Sequence, residues 1–139
     1  LDVKPCKKIQ DIFVCGHKYV NLTNKPIQLP TLMKMPLIFL EKKANSRNYV
    51  EAFFKENGYD LSPEFELGSH DLLLQFAKIN LGIACVTKEF AQSEISRGEL
   101  FEIPLTTPIP SRHIGIVTLK TVPISHAAKK FIRLIDSLA

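Results

Sequence analysis

The stretch from Glu66 to Val86, Glu-Leu-Gly-Ser-His-Asp-Leu-Leu-Leu-Gln-Phe-Ala-Lys-Ile-Asn-Leu-Gly-Ile-Ala-Cys-Val, constrains the fold more than any other. It predicts a strand ending at Leu67, a turn at Gly68, a helix opened by Ser69, a glycine stop at Gly82 and a second apolar strand. Leu72, Leu73, Phe76 and Ala77 repeat on one helical face behind Ser69. Strand, helix and strand in this order make a βαβ unit, which sets backbone N–H groups and a hydroxyl at one sheet edge. A small anionic or polar ligand can be held there without any catalytic side chain, so the chain is expected to sense something and to do no chemistry on it.

The 139 residues are one ordinary domain in length. With 45% hydrophobic and 23% charged residues, the composition is that of a globular protein. No apolar run approaches the roughly 20 residues of a spanning helix, so no membrane partner is expected. The chain starts at Leu1, and no charged-then-apolar leader precedes Lys4-Pro5-Cys6, which reads as a piece excised from a longer protein. Three cysteines, with Cys15 and Cys85 inside apolar strand-like segments, read as buried reduced thiols in a cytoplasmic protein. The formal charge of +4 comes from scattered pairs (Lys7-Lys8, Lys42-Lys43, Lys129-Lys130) and not from an aromatic-interleaved basic stripe. That pattern argues against direct nucleic-acid binding by these residues.

Taken in order, Ile9 to Gly16 predicts a strand. Pro30 starts a helical turn, and Pro36 leads Leu37-Ile38-Phe39-Leu40, a strand buried on both faces. Tyr49, Val50, Phe53 and Phe54 mark a helix ending at Asn57-Gly58, with Asn45 or Ser46 as its N-cap. After Val86 come a short helix over Glu89 to Ile95, a strand at Leu100 to Ile103 and a proline-broken connector. Arg112 to Lys120 is the longest strand candidate. Ser125 then caps a last helix with an apolar face of Ala128, Phe131, Ile132, Ile135 and Leu138. The alternation predicts an α/β fold with a mostly parallel sheet and helices on its faces. The last stripe has no sheet left to cover, so it is expected to belong to a second lobe.

The order of a proline-led strand, the Asn-Ser-Arg helix, the Glu-Leu-Gly-Ser-His-Asp turn, the Leu-Gly-Ile-Ala strand, the Gly-Glu-Leu strand, Ile-Gly-Ile-Val and a Ser-x-Ala-Ala-x-x-Phe helix resembles the effector-binding region of LysR-type transcriptional regulators. The resemblance runs from about Ile9 to Leu138. It implies an α/β fold like type 2 periplasmic binding proteins, a mixed sheet flanked by helices, in two lobes with most of lobe one missing. Residues 1–16 would then be a crossing strand from lobe one, 17–111 lobe two, and 112–139 a second crossing strand with a helix returned to lobe one. It further implies a small, anionic effector held between lobes, a homo-oligomer (dimer or tetramer), and DNA contact only through an N-terminal helix-turn-helix upstream of Leu1. A solute-binding receptor of a transport system shares this fold and is the alternative. A receptor should carry a signal peptide and avoid free cysteines.

The candidate ligand-binding residues lie at two helix starts and one strand entry. Asn45, Ser46 and Arg47 open the first helix, where N–H groups and the dipole favour an anion; capping and a solvated arginine are the plainer reading. Gly68, Ser69 and His70 open the second, where Ser69 can cap or bind and His70 could add a pH-sensitive donor. Gly82 and Ile83 enter the next strand, where glycine permits close backbone approach or simply ends the helix. No catalytic or metal residues are expected, and no cofactor. Cys85 sits in an apolar strand unsuited to a nucleophile, the four histidines lack metal-ligand spacing, and no GxSxG, GxGxxG or P-loop occurs.

Overall fold

The computed structural model describes residues 1–138. Ala139 and the side chain of Leu138, expected to finish the last helix and its apolar face, lie outside the described residues. The first elements in chain order are β1 (Asp2–Ile9), β2 (Asp11–Cys15), a 3-10 helix (His17–Thr23), α1 (Leu29–Met33), β3 (Leu37–Leu40) and α2 (Asn45–Glu56). They are followed by β4 (Phe65–Leu67), α3 (His70–Lys78), β5 (Ile83–Thr87), α4 (Lys88–Ser96), β6 (Phe101–Ile103), β7 (Arg112–Thr118) and α5 (His126–Leu138). The chain divides into two compact units, one of Gln10–Pro110 and one of Leu1–Ile9 with the chain from Ser111 onward. These boundaries differ from the expected ones after Gly16 and Ser111.

The strand expected over Ile9 to Gly16 is β2 over Asp11–Cys15, with Ile9 instead ending β1. Gln10 leaves both ladders: its carbonyl accepts from the Lys88 N–H at 2.8 Å, its N–H donates to Glu89 Oε1 at 3.3 Å, and its side-chain amide donates to the Ile109 carbonyl at 3.0 Å. No glycine or proline marks this break, so local propensity could not reveal it.

In the Gln10–Pro110 unit a five-stranded sheet runs β4-β3-β5-β2-β6. β3 is parallel to β4 and to β5, whereas β2 is antiparallel to β5 and to β6. The sheet is therefore mixed and not mostly parallel, because only the helix-connected strands β3, β4 and β5 need crossovers. Alternate residues feed two cores. Phe13, Leu37, Phe39, Ile83 and Cys85 meet Val50, Phe53 and Phe54 of α2, while Ile12, Val14, Ile38, Ala84 and Val86 meet Leu73, Leu74 and Ala77 of α3. Two-sided burial explains why these strands read as unbroken apolar runs. Phe13 packs edge-on to Phe39 and Phe54, at 5.8 and 6.1 Å between centroids.

Helix ends follow local chemistry, with two corrections. α2 is preceded by Ala44 as N-cap with no side-chain cap, not by Asn45 or Ser46, which are its first helical residues. α3 stops before Asn80, whose φ of 64° is left-handed, so Asn80 and not Gly82 ends it. Asn57-Gly58 ends α2 as expected, with Gly58 at φ 87° and Asn57 Nδ2 donating to the Phe53 carbonyl at 2.8 Å.

In the other unit β1 pairs antiparallel with β7 from Asp2↔Thr118 to Ile9↔Arg112, with a register shift between Pro5 and Lys7. β1, at eight residues, is longer than the seven of β7; the resemblance put residues 1–16 in a crossing strand, but the residue pattern of Lys-Pro-Cys-Lys-Lys did not mark one before Ile9. A two-stranded ribbon has only edges, which is where proline is tolerated. Ser125 Oγ accepts from the Ala128 N–H at 3.1 Å and caps α5, and Lys4 Nζ meets Asp136 Oδ2 at 2.6 Å.

Candidate functional site

The β3–α2–β4 crossover and the β4–α3–β5 crossover, which runs back across the sheet, place α2 and α3 on opposite faces of it. Their N-termini then converge at the carboxyl edge of β3 and β5, the place where open α/β sheets leave a crevice. A small recess of about 10 Å³, room for roughly one water molecule, lies in the Gln10–Pro110 unit. It is bordered by Asp11, Ser46, Arg47, His70, Cys85 and Thr87, over a floor that includes Phe39 and Leu40. Among the described residues the buried polar or charged ones are Asp11 (3% exposed), Arg47 (2%) and Thr87 (2%). All three line this recess.

Arg47 is held by its own chain. Its Nη1 donates to the Leu40 carbonyl at 3.0 Å and to Glu66 Oε2 at 2.7 Å, and the guanidinium lies 5.4 Å over the Phe39 ring. Its Nε is 3.4 Å from Glu51 Oε2, near enough for an ion pair but not aligned as a hydrogen bond. The solvated arginine of the plainer sequence reading is therefore replaced by a buried tie between β3, β4 and α2.

His70, the first residue of α3, accepts from the Thr87 N–H on Nε2 at 3.2 Å. Phe90 meets its ring edge-on at 5.1 Å. Ser69 Oγ accepts from the Leu72 N–H at 3.3 Å and caps α3, with Asp71 in the first turn complementing the dipole.

Of the eight sequence candidates, Ser46, Arg47 and His70 line the recess, whereas Asn45, Gly68, Ser69, Gly82 and Ile83 are not among its lining residues. Gly68 has nothing within 4 Å of where a Cβ would stand. Gly82 does allow close backbone approach, but to the chain itself: an added Cβ would lie 2.4 Å from the Pro36 carbonyl oxygen. Ile83 donates its N–H to that same oxygen at 2.8 Å, and its side chain is fully buried. Sequence reasoning missed Asp11 and Thr87. The available signals were a lone carboxylate heading an apolar strand and a threonine closing one, paired as neighbours across β2 and β5.

The described residues hold no group of three or more His, Cys, Asp or Glu placed to bind a metal, and no described helix is long and apolar enough to cross a membrane. Burial pushes the Cys15 thiol up to about 11. On the surface, hydrogen bonds from Arg97 and Lys78 draw the Glu99 carboxyl down to about 2.

Residues 2–139 match the model of the LysR substrate binding domain. The chain belongs to this family. It is 26% identical over 121 residues to the HTH-type transcriptional activator CmpR of Synechocystis sp., covering 87% of this chain and 40% of that protein. It is 22% identical over 115 residues to the uncharacterized HTH-type transcriptional regulator YeiE of Escherichia coli K12, covering 83% and 39%. The fold matches the Synechocystis CcmR regulatory domain in complex with 2-PG at a TM-score of 0.87 and 19% identity, over 99% of this chain and 66% of that one. It also matches the effector binding domain of QuiR in complex with shikimate at 0.81 and 18%, over 99% and 64%. The architecture is thus that of LysR regulatory domains, an α/β fold of the type 2 periplasmic-binding-protein kind with a mixed sheet flanked by helices. The chain spans about two fifths of the length of these curated relatives.

Proposed function

We propose that this chain is the ligand-sensing part of a cytoplasmic LysR-type transcriptional regulator, and that the recess bordered by Ser46, Arg47, His70 and Thr87 is the second lobe's contribution to the effector site. The observation that carries this reading is the convergence of the buried polar side chains Asp11, Arg47 and Thr87 on one recess at the start of two helices. Burying polar groups costs free energy unless they are satisfied, and concentrating them at a sheet's carboxyl edge is the arrangement of a binding site. The names of the relatives, all transcriptional regulators, favour this over a transport receptor and over an enzyme.

In the same reading β1, β7 and α5 are part of lobe one. Their apolar faces, with Phe131 62% and Val3 66% exposed, are those of a layer whose remaining strands lie elsewhere in the full protein. The protein is a homo-oligomer that meets DNA through a helix-turn-helix outside this stretch, and effector binding biases the poses of its lobes by no more than the difference in its affinity for them.

The test is a thermal-shift panel of small metabolites on the full-length regulator, beginning with shikimate and 2-PG, followed by promoter binding with each hit. Ser46→Leu should weaken the response by about tenfold or more without loss of folding, since it fills the recess from its rim. A hit whose affinity and effect on promoter binding are unchanged in Ser46→Leu would place the effector elsewhere.

A further inference from the structure

We infer that Arg47 is a positioning residue: it stands in for the side-chain cap that α2 lacks and holds Ser46, the rim residue before it, where an effector can meet it, a role that rests on the effector-sensing reading above. The two helices whose first residues line the recess start differently. α3 is closed by its own chain, with Ser69 Oγ accepting from the Leu72 N–H and Asp71 in the first turn. α2 has neither device: Ala44 stands at its N-cap position, extended at φ −75° and ψ 134°, with no side-chain cap, and no acidic residue lies in the first turn. A first turn built this way lacks its usual local restraint and frays unless something else holds it.

What holds α2 is a side chain that reaches back to the sheet. Arg47 Nη1 donates to the carbonyl of Leu40, the last residue of β3, and to Glu66 Oε2 of β4. The Arg47 side chain is 1% exposed and its guanidinium lies over Phe39 of β3. The loop before α2 is tied to the same strand end, since the Glu41 N–H donates to the Leu67 carbonyl at 2.9 Å and the Ala44 N–H to the Glu41 carbonyl at 3.0 Å. Burying a guanidinium gains little net stability, because desolvation offsets the ion pair, so its consequence lies in geometry: two directed bonds from one rigid planar group fix the helix start against two strands. Ser46, one residue earlier, borders the recess and takes its place from that anchor. With room for about one water molecule in the recess, a small displacement of its rim changes what fits.

The experiment compares, in the full-length protein, amide hydrogen-exchange protection at the first backbone bond of each helix: the Asn48 N–H to the Ala44 carbonyl in α2, at 3.1 Å, and the Leu73 N–H to the Ser69 carbonyl in α3, at 3.3 Å. Their ratio cancels any global loss of stability, which lowers both alike. Arg47→Met keeps an unbranched apolar side chain over Phe39 and removes the donors, so Asn48 should lose about tenfold or more of its protection relative to Leu73. Adding Ala44→Ser, on a backbone already extended as an N-cap requires, should bring the ratio back to within about threefold of wild type. Affinities for shikimate, 2-PG and any further hit of the metabolite panel are measured on the same three proteins, and should fall about tenfold in Arg47→Met and return with Ala44→Ser. An unchanged ratio or an undiminished affinity in folded Arg47→Met would overturn the inference. So would protection that returns with Ala44→Ser while affinity stays lost, since Arg47 would then act by touching the effector itself. Should Arg47→Met fail to fold, Glu66→Ala, at a side chain 42% exposed, removes one of the two bonds and is held to the same outcomes. If no metabolite binds wild type while the protection ratio responds as stated, the sensing reading falls and the anchor stands; the reverse pattern removes the anchor alone.

Discussion

The two units of this chain are made of similar residues and differ in what those residues touch. In Gln10–Pro110 every central strand is covered on both faces, and Phe13, Val14, Ile38, Val50, Phe54 and Ile83 are fully buried. In the unit of β1, β7 and α5, a two-stranded ribbon and one helix leave Val3, Ile114, Val117, Phe131 and Leu134 exposed. A ribbon of two strands rarely supports itself without a further layer. The first unit carries its own core and the second supplies faces for one, so the same substitution should have opposite consequences in the two.

Truncating one aromatic in each unit is the sharpest way to break that contrast. Phe13→Ala removes a ring packed against Phe39 and Phe54 and should cost about 3–5 kcal/mol in urea unfolding of the unit. Phe131→Ser, at a position 62% exposed, should lie within about 0.5 kcal/mol of wild type for this stretch alone. In the full-length protein, if β1, β7 and α5 do form part of a larger lobe, Phe131→Ser should become clearly destabilising. Equal costs for the two variants in the isolated stretch would erase the distinction between the units.

Glycines give a second, smaller contrast. Gly82→Ala puts a Cβ 2.4 Å from the Pro36 carbonyl oxygen, where β3 and β5 are fixed by packing on both faces, and should cost about 1–3 kcal/mol by chemical denaturation. At Gly115, on the open ribbon, the nearest atom would be the Lys4 carbonyl oxygen at 3.2 Å. There the ribbon can yield, and the cost should stay below about 1 kcal/mol. A larger effect at Gly115 than at Gly82 would show the ribbon to be as rigidly packed as the sheet.

The same contrast explains what the sequence could reveal. The βαβ stretch from Glu66 to Val86 was legible because two-sided burial writes continuous apolar runs at Leu37–Leu40 and Ile83–Val86, and because α2 and α3 carry helical stripes. β1 was not, since a strand with no buried face leaves no pattern around Lys4, Pro5, Lys7 and Lys8. Within the recess, Ser46, Arg47 and His70 could be found because helix starts are local features. Asp11 and Thr87 are paired only by strand register, and the partners that occupy Arg47 lie four and nineteen positions away. Ser69 illustrates the reverse: its capping role is local and was one of the two readings open from sequence.

The smallest effect separates the units by their thiols. Cys15 is fully buried in the sheet and its thiol is raised from 9.0 to about 11, whereas Cys6 sits half-buried on β1. The unfolded chain therefore loses the Cys15 proton from about pH 9 while the folded chain keeps it to about pH 11. The folded state holds more protons across that window, so the Cys15 contribution to stability is complete below pH 9, declines between pH 9 and 11, and is level beyond. At neutral pH it changes nothing. The difference in urea midpoint between wild type and Cys15→Ala, followed from pH 8 upward, should shrink through the same interval. In native protein at pH 8 an alkylating reagent should modify Cys6 well before Cys15, because attack requires a thiolate within reach of solvent. Comparable alkylation rates at the two sites, measured by peptide mass spectrometry, would mean that the Gln10–Pro110 sheet opens as readily as the ribbon and that the two units do not differ in the way their packing indicates.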